Sequence, residues 1–194
     1  MTRLLPPALL AAAFGAAAAA PAAADEFTAA MQAFYEAELA SLAQDPVLAG
    51  AIAAQNARTA GLPQSEIDAL DSAWRAEVGA AETPTITPVL ENDAAAMLRD
   101  RVAASGGMIT EIFAVDERGL NVAASAVTSD FWQGDEAKFT ETYPMGAGAV
   151  HFGEVEFDES TQTFQGQISF TVSDPATGAP IGAVTVGIDA EALL

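Results

Sequence analysis

The 194-residue chain has no cysteine, and its only lysine and only histidine are Lys138 and His151. Without thiols there is no disulfide framework, thiolate metal site, cysteine nucleophile or lipid-modified N-terminal cysteine. One histidine builds no paired-histidine metal centre, and any histidine-based acid–base scheme has to use His151. Basic side chains are scarce: seven Lys and Arg stand against 27 Asp and Glu, for a formal net charge of −20. A surface this acidic repels nucleic acid and anionic headgroups, which argues against polynucleotide binding. Also missing are a Gly-x-Ser-x-Gly elbow, a Ser-x-x-Lys pair, a phosphate-cradling loop, a dinucleotide fingerprint and any internal repeat. The expectation is therefore a protein without catalytic residues, metal or cofactor.

What is present begins with a leader. Met1-Thr-Arg3 supplies one positive charge, Leu4 to Ala20 is apolar apart from two prolines and a glycine, and Ala22-Ala23-Ala24 offers a small-x-small cleavage pattern before Asp25. Residues 1–24 read as a removable export signal. Losing Arg3 makes the remainder more acidic by one charge. No later stretch approaches the ~20 apolar residues of a spanning helix. Export without disulfides fits the bacterial periplasm, and the mature chain is expected to be soluble there.

From Glu26 to about Gln44 apolar residues recur at helical spacing (Phe27, Met31, Phe34, Leu39, Leu42). Asp45-Pro46 marks a fresh start, with Asp as N-cap, for a helix running to about Thr59. Ser65-Glu66-Ile67-Asp68 reads as a capping-box variant opening a third helix, and Val89 to about Ser105 as a fourth, stopped by Gly106-Gly107. The period then changes to that of strands. Met108–Val115 and Leu120–Val127 flank the turn Asp116-Glu117-Arg118-Gly119. Val150–Phe157, Phe164–Ser173 and Ile181–Asp189 follow, separated by turns at 158–161 and 174–178. Neither side of the last strand is charged, which suggests a sheet covered on both faces. The expectation is an α+β chain: a leader over 1–24, a helical region over 25–83, and over 84–194 a five-stranded antiparallel sheet packed on a long helix.

The most informative stretch is Ser129-Asp-Phe-Trp-Gln-Gly-Asp-Glu-Ala-Lys-Phe139, which sets three aromatics beside the only lysine in a connection too long for a hairpin loop. Such inserts often wall a small-molecule pocket. The alternative is that the aromatics seal the sheet as core while Lys138 pairs with Asp135 at the surface; for Trp132 both readings stay open.

The order helices, strand, Val115-Asp116-Glu117-Arg118-Gly119-Leu120, strand, then the Ser129–Phe139 stretch, Phe157-Asp158-Glu159-Ser160 and the closing Gly178–Asp189 run resembles a bacterial Cache-type extracytoplasmic sensor domain, best over Val89–Ala192. The resemblance implies a PAS-like sheet and binding of a small metabolite, or the cueing of a membrane receptor. No kinase, methyl-accepting or cyclase module follows before Leu194, so a free periplasmic binding or accessory module is expected. The ligand-binding residues are expected to be Phe131 and Trp132 for apolar or stacking surface, Lys138 as the electropositive contact, Asp130 and Tyr143 as hydrogen-bonding groups, and His151. Two rival readings are a protein-interaction or homodimerisation module using the leading helices, and a hydrolase centred on His151. Relatives of this fold bind small carboxylates, yet the arginines (Arg58, Arg75, Arg99, Arg101, Arg118) fall on predicted helices or a turn. With Lys138 as the one strong local cation, the expected ligand is neutral, zwitterionic or a small monocarboxylate.

Overall fold

The computed structural model describes residues 21–158 and 163–194. The leader lies, up to residue 20, outside the described residues, as does most of the turn expected at 158–161. Helix α1 (Pro21–Phe34) continues through a π turn (Tyr35–Leu39) and a 3-10 turn (Ala40–Gln44). Helix α2 (Pro46–Thr59) starts where Asp45-Pro46 placed it, the Asp45 carboxylate accepting from the amides of Val47 (2.9 Å) and Leu48 (3.1 Å). Helix α3 (Gln64–Glu77) departs from the expected cap: Pro63 precedes it with no side-chain cap, and Ser65 is already inside the first turn. The helix expected over 89–105 is two, α4 (Thr87–Leu90) and α5 (Asp93–Ala104). Asn92 divides them by accepting from the Ala95 amide (2.9 Å) and donating to the carbonyls of Pro88 and Val89 and, across the fold, of Val122 (3.0 Å).

The sheet is antiparallel and six-stranded: β1 (Ile109–Asp116), β2 (Asn121–Ala124), β3 (Val150–Phe152), β4 (Glu156–Asp158), β5 (Thr163–Ser173) and β6 (Pro180–Asp189), in the order β2-β1-β6-β5-β3 with β4 also paired to β5. The sixth strand arises because the strand expected over 150–157 breaks at residues 153–155. Gly153 donates to the Gln167 carbonyl (2.8 Å) there, and β4 resumes farther along β5. This is the helices-then-antiparallel-sheet arrangement expected of a PAS-like α+β fold. Short helices α6 (Ala137–Thr140) and α7 (Ala190–Leu193) complete it.

The two sheet faces differ in chemistry. One carries Ile112, Ala114, Ile168, Phe170, Val172, Val184, Val186 and Ile188, buried under Phe27, Met31, Leu39 and Leu42 of the α1 run, Leu48 and Ile52 of α2 and Leu98 of α5. Each of these side chains larger than alanine contributes about 1.5–3 kcal/mol of burial. The apolar face of the leading helices, offered by the sequence to a partner, is thus turned onto the sheet and shares its core. On the other face Phe113, Val115 and Ala183 pack with Ile67 and Trp74 of α3, Val89, Leu120, Phe131 and Phe139. Toward β5 that second face becomes polar, with Gln165, Gln167, Ser169 and Thr171 alternating against the apolar face.

Candidate functional site: a polar sheet face under a pinned insert

The site begins at the β1–β2 turn. Asp116, fully buried, accepts from the amides of Arg118 (2.8 Å) and Leu120 (3.0 Å), and its other oxygen accepts from the Thr59 hydroxyl (2.8 Å) and Gln55 Nε2 (3.2 Å). Gly119 supplies the positive φ (78°) that the turn needs. The insert is fastened to this turn. Trp132 Nε1 donates to the Arg118 carbonyl (2.8 Å), the Gln133 amide to the Gly119 carbonyl (2.7 Å), and Leu120 and Trp132 form an antiparallel bridge. From the other side Asp71 of α3 accepts from the amides of Phe131 (2.9 Å) and Trp132 (3.1 Å), while Arg75 pairs with both Asp71 (2.7 Å) and Asp130 (2.9 Å).

So pinned, the chain turns at Gln133–Glu136 and lays α6 over the polar sheet face. Phe139 is buried and stacks on Tyr143 (5.5 Å, 25°). Lys138 pairs with Glu136 (2.9 Å), rather than with Asp135, and its ammonium lies 5.5 Å from the centroid of the Phe113 ring. Two hollows meet at Lys138 and Gln167. The inner one, about 410 Å³, lies between the sheet and the insert and is bordered by Glu111, Phe113, Thr128 and Gln133. The outer one, about 650 Å³, is bordered by His151, Glu136, Glu154, Glu156 and Gln165. His151 reaches it from β3, in register with Ser169.

Beneath the insert a polar knot is left incompletely paired. The Asp130 carbonyl accepts from three donors: Asn121 Nδ2 (2.9 Å), the Thr128 hydroxyl (2.7 Å) and Gln133 Nε2 (3.0 Å). These bonds fix both amide orientations, and they leave Asn121 Oδ1 and Gln133 Oε1 buried without a protein partner; Thr171 Oγ1 is a third such oxygen. An unpaired buried acceptor costs about 1–3 kcal/mol.

The six sequence-predicted residues divide. Lys138 borders both hollows and His151 the outer one. The other four border neither: Phe131 stacks on Trp74 (5.3 Å, 24°), Trp132 and Asp130 hold the insert as described, and Tyr143 braces Phe139. Burial, then the negative charges of Glu117 and Asp116, push the Tyr143 hydroxyl above the usual tyrosine pKa. Sequence reasoning missed Glu111, Gln133 and Gln167. The signal was there in part, because Gln165, Gln167, Ser169 and Thr171 recur every second residue within a strand whose alternate positions are Ile168, Phe170 and Val172. Among the described residues no group of three or more His, Cys, Asp or Glu could hold a metal ion, and no helix is long and apolar enough to cross a membrane.

No protein-family model matches the chain, and no curated relative matches it. Among solved structures it is similar to the sensor domain of the V. cholerae histidine kinase DctB (15% identity, 87% of this chain and 54% of that one, TM-score 0.48). It is also similar to the ligand-binding domain of the Campylobacter jejuni chemoreceptor Tlp3 in complex with 4-methylisoleucine (10%, 86% and 61%, TM-score 0.41). A third is the ligand-binding domain of the Pseudomonas fluorescens chemoreceptor CtaA in complex with L-serine (14%, 67% and 52%, TM-score 0.36). The chain spans roughly half to three fifths of the length of these structures. At this level the likeness assigns neither ligand nor role.

Proposed function

We propose that this protein is a non-catalytic, periplasmic small-molecule-binding module of Cache type, acting as a sensor or as an accessory to one. The observation that carries the reading is the inner hollow. It is a concave site between a polar sheet face and a pinned insert, with Lys138, Gln133 and Gln167 in its wall. Its chemistry restricts the ligand. Lys138 already faces Glu136, Glu111 lies across the hollow, and no arginine borders either hollow among the described residues. Arg75, Arg99, Arg101 and Arg118 are engaged elsewhere, by Asp71 and Asp130 or by the carbonyls of Leu90, Glu38, Ala60 and Leu62. One cation among several carboxylates fits a neutral, zwitterionic or monocarboxylate ligand. A di- or tricarboxylate would meet like charge.

A thermal-shift screen of amino acids, monocarboxylates, sugars, citrate and malate tests this, followed by Lys138→Met and Gln133→Met. Gln133→Met leaves the Asp130 carbonyl with two of its three donors and removes the unpaired oxygen, so the fold should be retained. The expected result is a hit among the first three classes whose shift both substitutions abolish. Tight citrate or malate binding, or a hit indifferent to both substitutions, would overturn the reading.

A further inference from the structure

We propose that the groove between α1, α7 and the β3–β5 edge docks a partner-protein segment that presents an apolar stripe flanked by lysine or arginine. The groove, about 740 Å³, is lined by Phe27, Met31, Phe152, Val155, Phe164 and Ala190. At its rim Phe157 of β4 and Phe164 of β5 face each other across the ladder, edge to face at 5.3 Å, and each is 49% exposed; Val155 is 38% exposed. Two half-exposed phenylalanines beside an apolar groove form a patch of the kind that marks an interaction surface. Phe164 lines the groove, whereas Phe157 lies beyond it and borders the outer hollow, so the patch is longer than a small molecule filling the groove would cover. Strand β4 pairs only with β5 among the described residues and carries Phe157 beside the same groove.

Charge selects the occupant. Glu154 and Glu191 line the groove and Glu156 stands on the adjoining strand, with no lysine or arginine among the lining residues. A second copy of this chain would bring the same acidic rim against itself, at a net charge of −20 on each side. Basic flanks on an apolar stripe complement both features. The wall Phe152-Gly153-Glu154 is common to the groove and the outer hollow, so a docked segment touches residues that also border the region around Lys138.

The test is fluorescence polarisation of the full chain with a labelled Leu/Lys amphipathic peptide of about 18 residues and with its Leu/Glu counterpart. The Leu/Lys peptide should bind, more weakly at high salt, and the Leu/Glu peptide should not. Phe157→Ser with Phe164→Ser should weaken binding at least about tenfold. Glu66→Gln with Asp68→Asn, on exposed α3 positions, should leave it unchanged. Should the phenylalanine pair prove necessary for folding, Glu154→Lys with Glu191→Lys is expected to abolish binding instead. Equal affinity of the double-serine variant and the parent would show attraction by the acidic surface at large and overturn the proposal. So would equal binding of the Leu/Glu peptide, or a dimer in light scattering that the double-serine variant loses.

Discussion

Asp71 is the strongest handle on the insert. Its side chain is 12% exposed, and one of its oxygens holds the amides of both Phe131 and Trp132 while the other meets Arg75. Asp71→Ala removes two hydrogen bonds to a charged acceptor, each about 1.5–3 kcal/mol, and leaves two backbone donors at the foot of the insert without partners. The expected cost is about 3–5 kcal/mol, a large part of a net stability of about 5–15. In a chain of this size that lowers Tm by about 10 °C. Arg75→Ala should cost less than about 1 kcal/mol, because the Arg75 side chain is 60% exposed and its ion pairs are screened by water. Asp71→Asn keeps an acceptor oxygen and should fall between the two. Urea denaturation of the three variants gives the ordering, and amide hydrogen exchange locates it. The Phe131 and Trp132 amides should exchange faster in Asp71→Ala and stay protected in Arg75→Ala. If Asp71→Ala unfolds at the same urea concentration as Arg75→Ala, the insert is not held by this carboxylate and the reasoning fails.

Gly119→Ala should cost more than about 2 kcal/mol, since the position needs positive φ and a new Cβ would stand 2.5 Å from Gly134 Cα; Gly178→Ala, with similar φ and open space around it, should cost only about 1, and equal urea midpoints would contradict the contrast. Partial desolvation pushes the Glu77 carboxyl up, but hydrogen bonds from Thr85 and Ile86 outweigh it, and the folded pKa is lowered from its ordinary value. The contribution of Glu77 is therefore present above the ordinary glutamate pKa of about 4.3 and lost as pH falls through the lowered value. The stability gap between parent and Glu77→Ala should close on acidification, and a gap constant down to acid pH would refute this. Trp132→Phe keeps one aromatic ring but loses the indole N–H to the Arg118 carbonyl and the packing of the second ring, so a cost of at least about 1 kcal/mol is expected by thermal melting, and a cost near zero would show that bond idle.

The parts of the fold legible in the sequence are those set by neighbours along the chain. Asp45-Pro46 capped a helix because the cap is made within three residues, and Asp116-x-x-Gly119 made its turn for the same reason. The long strands β5 and β6 were legible because alternation over ten or so positions outweighs local noise. What failed was decided across the fold. Asn92 interrupts a helical pattern because Val122, thirty residues on, offers a carbonyl to its amide, and the strand from Val150 breaks because its pairing with β5 slips by one residue between Phe152 and Glu156. Of the candidate site, Lys138 was legible as the one lysine of the insert, and it borders both hollows. Its aromatics were not assignable, because whether Trp132 faces a hollow or the Arg118 carbonyl depends on a contact that Asp71, sixty-one residues earlier, imposes.

The two faces of β5 differ in how completely their polar atoms are paired. Ile168, Phe170 and Val172 fill one face with no polar atom to satisfy. On the other face Ser169 and Thr185 satisfy each other at 3.0 Å, but the equally buried Thr171 Oγ1 has no protein partner among the described residues, nor have Gln133 Oε1 and Asn121 Oδ1 under the insert. A buried oxygen left unpaired costs about 1–3 kcal/mol. Valine at position 171 would occupy nearly the same volume without that cost, as it does one residue on in the same strand. A polar face kept under an insert that Asp71, Trp132 and the β1–β2 turn hold in place is what the proposed binding site would require, because a polar wall orients a ligand only if its own side chains are held.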